Sequence, residues 1–512
     1  MKKREVLALA AEIYDDIQLA ELEHAIDYAT KMHKGQKRRS GEPYITHPLS
    51  VGYTLIEWDM DIDSILAGVL HDTVEDTPAT LDEIENLFGR DVAFLVDGVT
   101  KVSQARAGMR DLESYMPQTK DNLSKLLIAV SQDVRVIIIK LADRLHNLQT
   151  LQHMPKDKQQ KISRESLEVF APMADRLGMG RVRMQIEETA FSYLDREEFT
   201  KLQLTMKKRL GKSTRKLGGV RIEVERELTK QGIDFEINGR VKSVYSLYKK
   251  LKKVDGNIDD IYDLMALRVI VRDKETCYRV LGILHSMYQP MIARIKDYIA
   301  VPKPNGYQSL HTTVITPSKQ IVEFQIRTQE MHDYAERGLA ASFHYHEQKT
   351  SKAYTKNKPG VHLPAELQWI TQMQEIAAKL REGEEISQDQ LNVDLFGDRI
   401  FVYSPKGDIY NLPEGALPLD FAYLVHSDIG NHAYSFRVNG NIHAFDKTLR
   451  NGDVVEVITR KIPQVKTAWQ DLVTTTHARS KLRMQLRKMG LLHAISSAAA
   501  IIRDKAARKS KK

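Results

Sequence analysis

Residues 294–314 read R-I-K-D-Y-I-A-V-P-K-P-N-G-Y-Q-S-L-H-T-T-V, and after a short turn residues 320–328 read Q-I-V-E-F-Q-I-R-T. The first half gathers Arg294, Lys296, Asp297, Lys303, Asn305, Tyr307, Gln308 and His311 around the breakers Pro302, Pro304 and Gly306. A loop this rich in cations, with a ring at its middle, can hold phosphates and stack on a base. The second half alternates as a strand does: Val322, Phe324 and Ile326 point one way, and Glu323, Gln325 and Arg327 the other. A carboxylate and a guanidinium therefore share one strand face beside a phosphate-friendly loop, a layout suited to metal-assisted phosphoryl transfer. A solvated edge strand with a charged turn has the same pattern, and on these residues alone both readings stand.

Outward from this stretch, 512 residues are too many for one core, so roughly three or four domains are expected. The lone cysteine, Cys277, excludes an intramolecular disulfide framework and a cysteine-rich zinc site, and suits a reducing cytoplasm. No apolar run approaches membrane-spanning length, and the opening M-K-K-R-E-V-L-A-L-A-A-E turns acidic too early for a secretory signal. The net charge of +8 is uneven: residues 461–512 carry thirteen Lys or Arg against Asp471 and Asp504, a balance of +11, which leaves −3 for the rest. That basic segment points to an anionic partner, most simply RNA, or else serves solubility alone.

Residues 1–195 read as helical. A basic loop, H-K-G-Q-K-R-R-S-G-E-P-Y-I-T-H-P at 33–48, leads into a helix starting near His47. Residues 64–77, S-I-L-A-G-V-L-H-D-T-V-E-D-T, place His71, Asp72, Glu75 and Asp76 at the end of an apolar helix, where polar groups need a reason to be. Residues 134–151, V-R-V-I-I-I-K-L-A-D-R-L-H-N-L-Q-T-L, form a helix apolar almost all round. Lys140, Asp143, Asn147 and Thr150 interrupt it on one stripe and are expected to line a pocket. His47, His71, Asp72 and Asp143 together offer nitrogen and oxygen ligands that suit manganese or iron. A helical bundle with buried ion pairs is the structural alternative.

Residues 196–235 read as a connection of helical and strand-like pieces, opening with the cationic M-K-K-R-L-G-K-S-T-R-K-L-G-G from Met206. G-R-V-K-S-V-Y-S-L-Y-K-K-L-K-K follows from Gly239. On a helix it would align Lys242, Ser246 and Lys250 on one cationic face near the helix start, suited to a polyphosphate, or form a plain solvated face. D-I-Y-D-L-M-A-L-R-V-I-V then places Asp263 just ahead of a strand at Leu267–Val271. Asp263 and Glu323 are the candidate ligands of a Mg²⁺ ion bridging nucleotide phosphates.

These motifs resemble a known family. G-R-V-K-S-V-Y-S-L-Y-K-K, D-L-M-A-L-R, K-D-Y-I-A-V-P-K-P-N-G-Y-Q-S-L-H and E-F-Q-I-R-T-Q-E-M-H look like the synthetase domain of the long RelA/SpoT homologues. The loop at 33–48, H-D-T-V-E-D-T and K-L-A-D-R-L-H-N-L-Q-T-L look like the hydrolase domain of the same family, in the same order. The resemblance implies two opposed reactions: transfer of pyrophosphate from ATP to the 3′-hydroxyl of GDP or GTP, giving (p)ppGpp, and hydrolysis of (p)ppGpp with Mn²⁺. It assigns Arg240, Lys242, Ser246 and Lys250 to ATP, and Asp263 and Glu323 to Mg²⁺, with Glu323 also activating the hydroxyl. Tyr307 would stack on guanine beside Lys303, Asn305 and His311. In the hydrolase, His47, His71, Asp72 and Asp143 would bind the metal, Glu75 and Asp76 would be catalytic, and Arg38, Lys140, Asn147 and Thr150 would meet the nucleotide. The complete H-D-x-x-E-D run and R-I-K-D at 294–297 resemble the bifunctional branch. The competing readings are a synthetase with an inactive hydrolase and a non-catalytic ribosome or tRNA binder. Ser342 and Phe343 depart from the family's usual His-Trp.

The implied fold is multidomain. An all-α HD-type hydrolase domain spans 1–195, and an α/β nucleotidyltransferase-like synthetase domain spans 196–345. A linker and helix follow at 346–390, then a small β-grasp TGS domain at 391–460 and a basic helical tail at 461–512. The TGS resemblance implies a ribosome and uncharged-tRNA partner, with His432 the nearest candidate contact. The cysteine and ACT modules of long homologues have no counterpart here, so either the chain is cut or its basic tail stands in for them.

Overall fold

Helix starts in the N-terminal region are set by short polar caps. Asp15 accepts from the amides of Ile17 and Gln18, and Thr80 and Glu83 form a reciprocal capping box. The computed structural model describes residues 1–107, 133–253, 265–303, 305–340 and 399–490, and of residues 101–107, 210–216, 253 and 265 the backbone alone. Asp263, Ser342, Phe343 and the linker and helix expected at 346–390 lie outside the described residues. The chain divides into two compact units, Met1–Ala378 and Lys379–Lys512.

The first unit begins with the expected helices: α1 (Lys3–Ala10), α2 (Asp16–Met32), α3 (Thr46–Glu57), α4 (Ile62–Leu70), α5 (Thr73–Asp76), α6 (Leu81–Phe88), α7 (Arg90–Ala107), α8 (Arg135–Gln149), α9 (Lys156–Glu165), α10 (Ala171–Arg176) and α11 (Gly180–Leu194). Helix α8 is central, with Val136, Ile137, Ile138, Ile139, Leu141 and Ala142 almost fully buried. Asp61 caps α4 through the Ser64 amide and also holds Arg135 at the start of α8, 3.1 Å away. Helices α3 and α4 meet closely: a methyl group at Gly68 would collide with Leu55, and one at Gly52 would lie 2.7 Å from Val69. These contacts bring the start of α3 and the end of α4 to the same side of α8.

The expected connection at 196–235 is instead largely one helix, α12 (Arg196–Lys230), 35 residues long. Its Gly218 and Gly219 read locally as a break, at roughly 1 kcal/mol each relative to Ala. Packing overrides that preference: Leu202 and Met206 join Phe191, Val244 and Leu247, while Val220, Val224 and Leu228 enter the core of the following sheet.

That sheet contains β1 (Phe235–Val241), β2 (Met265–Val271), β3 (Gln289–Pro290), β4 (Lys296–Asp297), β5 (Leu310–Ile315) and β6 (Ile321–Thr328), in the order β1-β2-β6-β5-β3, with β4 on β5. Only β2 and β6 run parallel among these pairs. Helix α13 (Val244–Lys253) follows β1, α14 (Lys274–Met287) follows β2, and α15 (Gln329–Arg337) follows β6. Val322, Phe324 and Ile326 face the core with α12 and α14, as their alternation predicts. Lys242 precedes α13, so the expected Lys242–Ser246–Lys250 helical face does not exist. The helix starts at Val244 because Ser243 accepts from the Ser246 amide, and Glu188 of α11 accepts from the Val244 amide at 2.9 Å.

The second unit has the hairpin β7 (Arg399–Tyr403)–β8 (Ile409–Pro413), the helices α16 (Pro418–Val425) and α17 (Ser427–His432), and a sheet of β9 (Ala433–Val438), β10 (Asn441–His443) and β11 (Val455–Thr459) in the order β10-β9-β11. The segment from 461, expected as a basic tail, is part of this core up to its last described residue, Gly490. Val465, Trp469, Val473, Ala478 and Leu482 are buried in it, and Asp420 accepts from the amides of Thr474 and Thr475.

Gly338 closes α15 with φ +61° and ψ −139°, a conformation that side chains avoid. A methyl group there would run into the carbonyl of Leu177 and the backbone of Gly178 and Met179. Gly338→Ala is expected to cost about 2 kcal/mol or more and to lower the thermal midpoint of the first unit. An unchanged midpoint in differential scanning calorimetry would refute this packing.

Candidate active sites

The first cleft, about 330 Å³, opens at the convergence of α3, α4 and α8 and is lined by Arg38, His47, Asp72, Glu75, Asp76, Lys140, Asp143, Asn147 and Thr150 among others. The structure thus brings the predicted nucleotide contacts and catalytic carboxylates to one cleft. His47, His71 and Asp143 are buried and each offers a ligand atom within 4.8 Å of the others. Asp72 lies beside them, with its oxygens 3.0 Å from His71 Nε2 and 3.5 Å from His47 Nε2.

This donor set fits a divalent cation. His71 Nδ1 donates to the Gly68 carbonyl at 2.8 Å, leaving Nε2 as the lone-pair atom. That Nε2 is buried, and its near polar neighbour is Asp72 Oδ1 at 3.0 Å. Asp143 is oriented by Lys140 Nζ at 2.8 Å and Asn147 Nδ2 at 2.5 Å. Burial alone would raise its pKa, but neighbouring cationic charge, Lys140 first, outweighs burial and holds the carboxyl well below its usual range.

Two participants were not singled out from sequence. The Tyr44 hydroxyl lies 2.8 Å from both Asp72 Oδ2 and Asp76 Oδ2, tying an expected ligand to an expected catalytic carboxylate. His146 packs against His47 at a tilt of 32° with ring centroids 4.9 Å apart, and burial, then His47 and Arg38, push its pKa down to about 3. Its spacing of three residues from Asp143 was the available signal.

The second cleft, about 670 Å³, lies on the polar face of the six-stranded sheet. Strand register builds it. Glu323 pairs with Ala266 on one side and Thr313 on the other, so small neighbours leave space around the carboxylate. Gln325 pairs with Arg268 and His311. Gln325 donates to Glu323 Oε1 at 3.0 Å and its own oxygen accepts from Arg240 and Arg327, each at 3.1 Å. His311 places Nδ1 3.4 Å from Glu323 and its Nε2 2.9 Å from the Tyr307 hydroxyl. Lys303 Nζ lies 5.2 Å and Arg327 Cζ 5.5 Å from the Tyr307 ring centroid.

Arg240, Lys242, Lys250, Lys303, Asn305, Tyr307, His311 and Glu323 all line this cleft, as predicted. Ser246 is not among the lining residues; its hydroxyl accepts from Ser243 at 2.9 Å. Arg327 lines the cleft from the strand face that its alternation predicted, and Arg268 lines it without having been singled out from sequence. Segment 175–184 of the helical region supplies a further wall, and Asn305 Nδ2 donates to the Asp175 carbonyl at 2.9 Å. No local sequence signal reports that wall. In the second unit, His432 holds the Asp428 carbonyl through Nδ1 at 2.8 Å.

Comparison with known proteins follows the same divisions. The HD domain family matches residues 25–180, the region found in RelA / SpoT proteins matches 239–350, and the TGS domain matches 400–459. A GTP pyrophosphokinase of Myxococcus xanthus is 42% identical over 473 residues, covering 92% of this chain and 61% of the relative. The bifunctional (p)ppGpp synthase/hydrolase SpoT of Escherichia coli is 40% identical over 472 residues, 92% of this chain and 65% of its own. A guanosine-3′,5′-bis(diphosphate) 3′-pyrophosphohydrolase of Aquifex aeolicus is 40% identical over 471 residues, 91% of this chain and 65% of its own. The chain thus spans less than two thirds of the length of these relatives. Among the described residues, no helix is long and apolar enough to cross a membrane.

Burial would raise the Glu323 carboxyl, but His311, Gln325 and Lys242 outweigh it and hold its pKa down to about 2, from an ordinary 4.5. A carboxyl held low contributes stability above pH 4.5 that is lost as the pH falls toward 2. Glu323→Gln is expected to flatten the loss of stability over that window. Chemical denaturation at successive pH values checks this, and a slope equal to the parent's contradicts it.

Proposed function

The chain belongs to the RelA/SpoT homologues, and on that footing we propose that it both makes and degrades (p)ppGpp. One observation carries the reading. A single unit holds a histidine and carboxylate cluster whose ligand atoms lie within 4.8 Å, and a separate cleft in which Glu323 is surrounded by cationic side chains. The first suits metal-assisted hydrolysis and the second polyphosphate transfer.

In synthesis, the 3′-oxygen of GDP or GTP attacks the β-phosphorus of ATP, the bond from that phosphorus to AMP breaks, and pyrophosphate is transferred. Glu323 takes the hydroxyl proton. Its low pKa keeps it ionised, and Gln325 and His311 aim it. Arg240, Lys242 and Lys250 hold the ATP phosphates, and Tyr307 stacks on guanine beside Lys303, Asn305 and His311. Ser246 has the family resemblance alone in its favour. Asp263 and Glu323 would hold Mg²⁺, which neutralises charge on the transferring phosphates.

In hydrolysis, water attacks the 3′-attached phosphorus, the bond to the 3′-oxygen breaks, and pyrophosphate leaves. One of Glu75 and Asp76 takes the water proton, which goes on to the departing 3′-oxygen, while the other orients the water, and Tyr44 orients Asp76. His47, His71, Asp72 and Asp143 would hold Mn²⁺, which acidifies a bound water and polarises a phosphoryl oxygen. Arg38, Lys140, Asn147 and Thr150 form the nucleotide wall. The TGS domain and the basic segment from 461 are the surfaces for a ribosome carrying uncharged tRNA.

Asp72→Ala is expected to lower (p)ppGpp breakdown at least about 100-fold while synthesis persists, and Glu323→Gln to do the reverse. Chelation of divalent ions should stop both reactions. Chromatographic assay of ATP, guanine nucleotides and (p)ppGpp reads all of these. Purified chain that neither forms nor consumes (p)ppGpp with both ions supplied overturns the proposal.

A further inference from the structure

His146, on α8, stands behind His47 and Arg38 of the helical cleft, and the hydrolysis just described gives it no task. Its Nδ1 lies 3.0 Å from Nη1 of Arg38 and 2.8 Å from Nδ1 of His47. A guanidinium can only donate hydrogen bonds. His146 Nδ1 is therefore an acceptor, its one lone pair shared between Arg38 and His47, and the ring's proton sits on Nε2. The contact between the two imidazoles then requires the proton on Nδ1 of His47. A neutral imidazole protonated at Nδ1 presents a lone pair at Nε2. For His47 that atom faces Asp143 Oδ1 at 3.2 Å and Asp72 Oδ2 at 3.5 Å.

We propose that His146, backed by Arg38, is a positioning residue that holds His47 in the one neutral tautomer able to ligate a divalent cation. In the other tautomer the His47 Nε2 proton would donate to Asp143 and close the cation position. The two ligand histidines are thus set by different devices. His71 is fixed within its own helix by the Gly68 carbonyl, three residues back. His47 is fixed from a different helix, by a residue 99 positions away in sequence. Arg38 completes the support from the loop before α3, where its Nη2 also reaches Asn147 and Thr150 at 3.3 Å each. A partner behind a ligand histidine is a recurrent feature of metal sites, and its loss commonly costs about 10–100-fold in metal affinity.

The inference rests on His47 being a cation ligand, so the test separates the two claims. Mn²⁺ binding to the full chain is measured by electron paramagnetic resonance of the free ion, without nucleotide. The helical site is taken as the difference between the parent and His71→Ala. His146→Leu removes the acceptor and keeps apolar bulk. His146→Asn returns an acceptor oxygen close to the position of Nδ1. Affinity at the helical site is expected to fall about 10–100-fold in His146→Leu and to recover largely in His146→Asn, with (p)ppGpp synthesis and the thermal midpoint unchanged. Parent affinity in His146→Leu, or equal weakness in both variants, overturns the proposal. A parent that binds no more Mn²⁺ than His71→Ala overturns the metal reading as well.

Discussion

Asp143 is a carboxylate on a helix buried almost all round, and it is only 5% exposed. An uncompensated charge in such a place costs several kcal/mol, so the surrounding structure must answer it. Lys140 and Asn147 do so from the same helix, one turn to either side. His47 stands beside it from α3, with Nε2 3.2 Å from Asp143 Oδ1, where the close approach of α3 and α4 and the Asp61–Arg135 bond help to place it. The geometry of the helical cleft follows from this demand. The polar groups converge because the helix that carries them has no water to turn to.

The sheet cleft meets the same constraint by other means. A strand separates its faces by alternation, so Phe324 and Ile326 can be buried while Glu323, Gln325 and Arg327 face a cleft. Gln325 is the pivot, with its amide nitrogen on the carboxylate and its oxygen on two guanidiniums. Burial, in company with Arg268 and Arg240, holds Arg327 down to about 10, although the Tyr307 hydroxyl works the other way. A cluster of three guanidiniums, of which Arg268 pairs with Glu336 at 3.2 Å, is a complement for phosphates.

The two clefts share material. Segment 175–184 follows the helices of the first cleft and walls the second. Asn305 hangs on the Asp175 carbonyl, and Leu339 donates to the Leu177 carbonyl at 2.8 Å. The backbones approach so closely at Gly178 and Gly338 that neither position has room for a side chain. A displacement of α11 would therefore move a wall of the sheet cleft.

Much of this was legible in the chain itself, because periodicity and breakers are local. The alternation at 320–328 predicted β6 and its two faces, and the stripe Lys140–Asp143–Asn147–Thr150 predicted a lined cleft. Where local signals misled, packing was the reason. Gly218–Gly219 did not interrupt α12, since both flanks of that helix are buried in different cores. Lys242 fell outside α13 because a carboxylate from α11 caps that helix at Val244. The basic segment from 461 proved to be partly core, since its few apolar residues dock on β-strands whose position no local pattern reports. The sequence by itself determined which polar side chains share one face of β6 and one stripe of α8. The tertiary structure alone decided that Tyr44 joins Asp72 to Asp76, that His146 stands behind His47, and that a helical turn walls the sheet cleft. Those relations depend on distances between residues far apart in the chain, which spacing along one helix or strand does not encode.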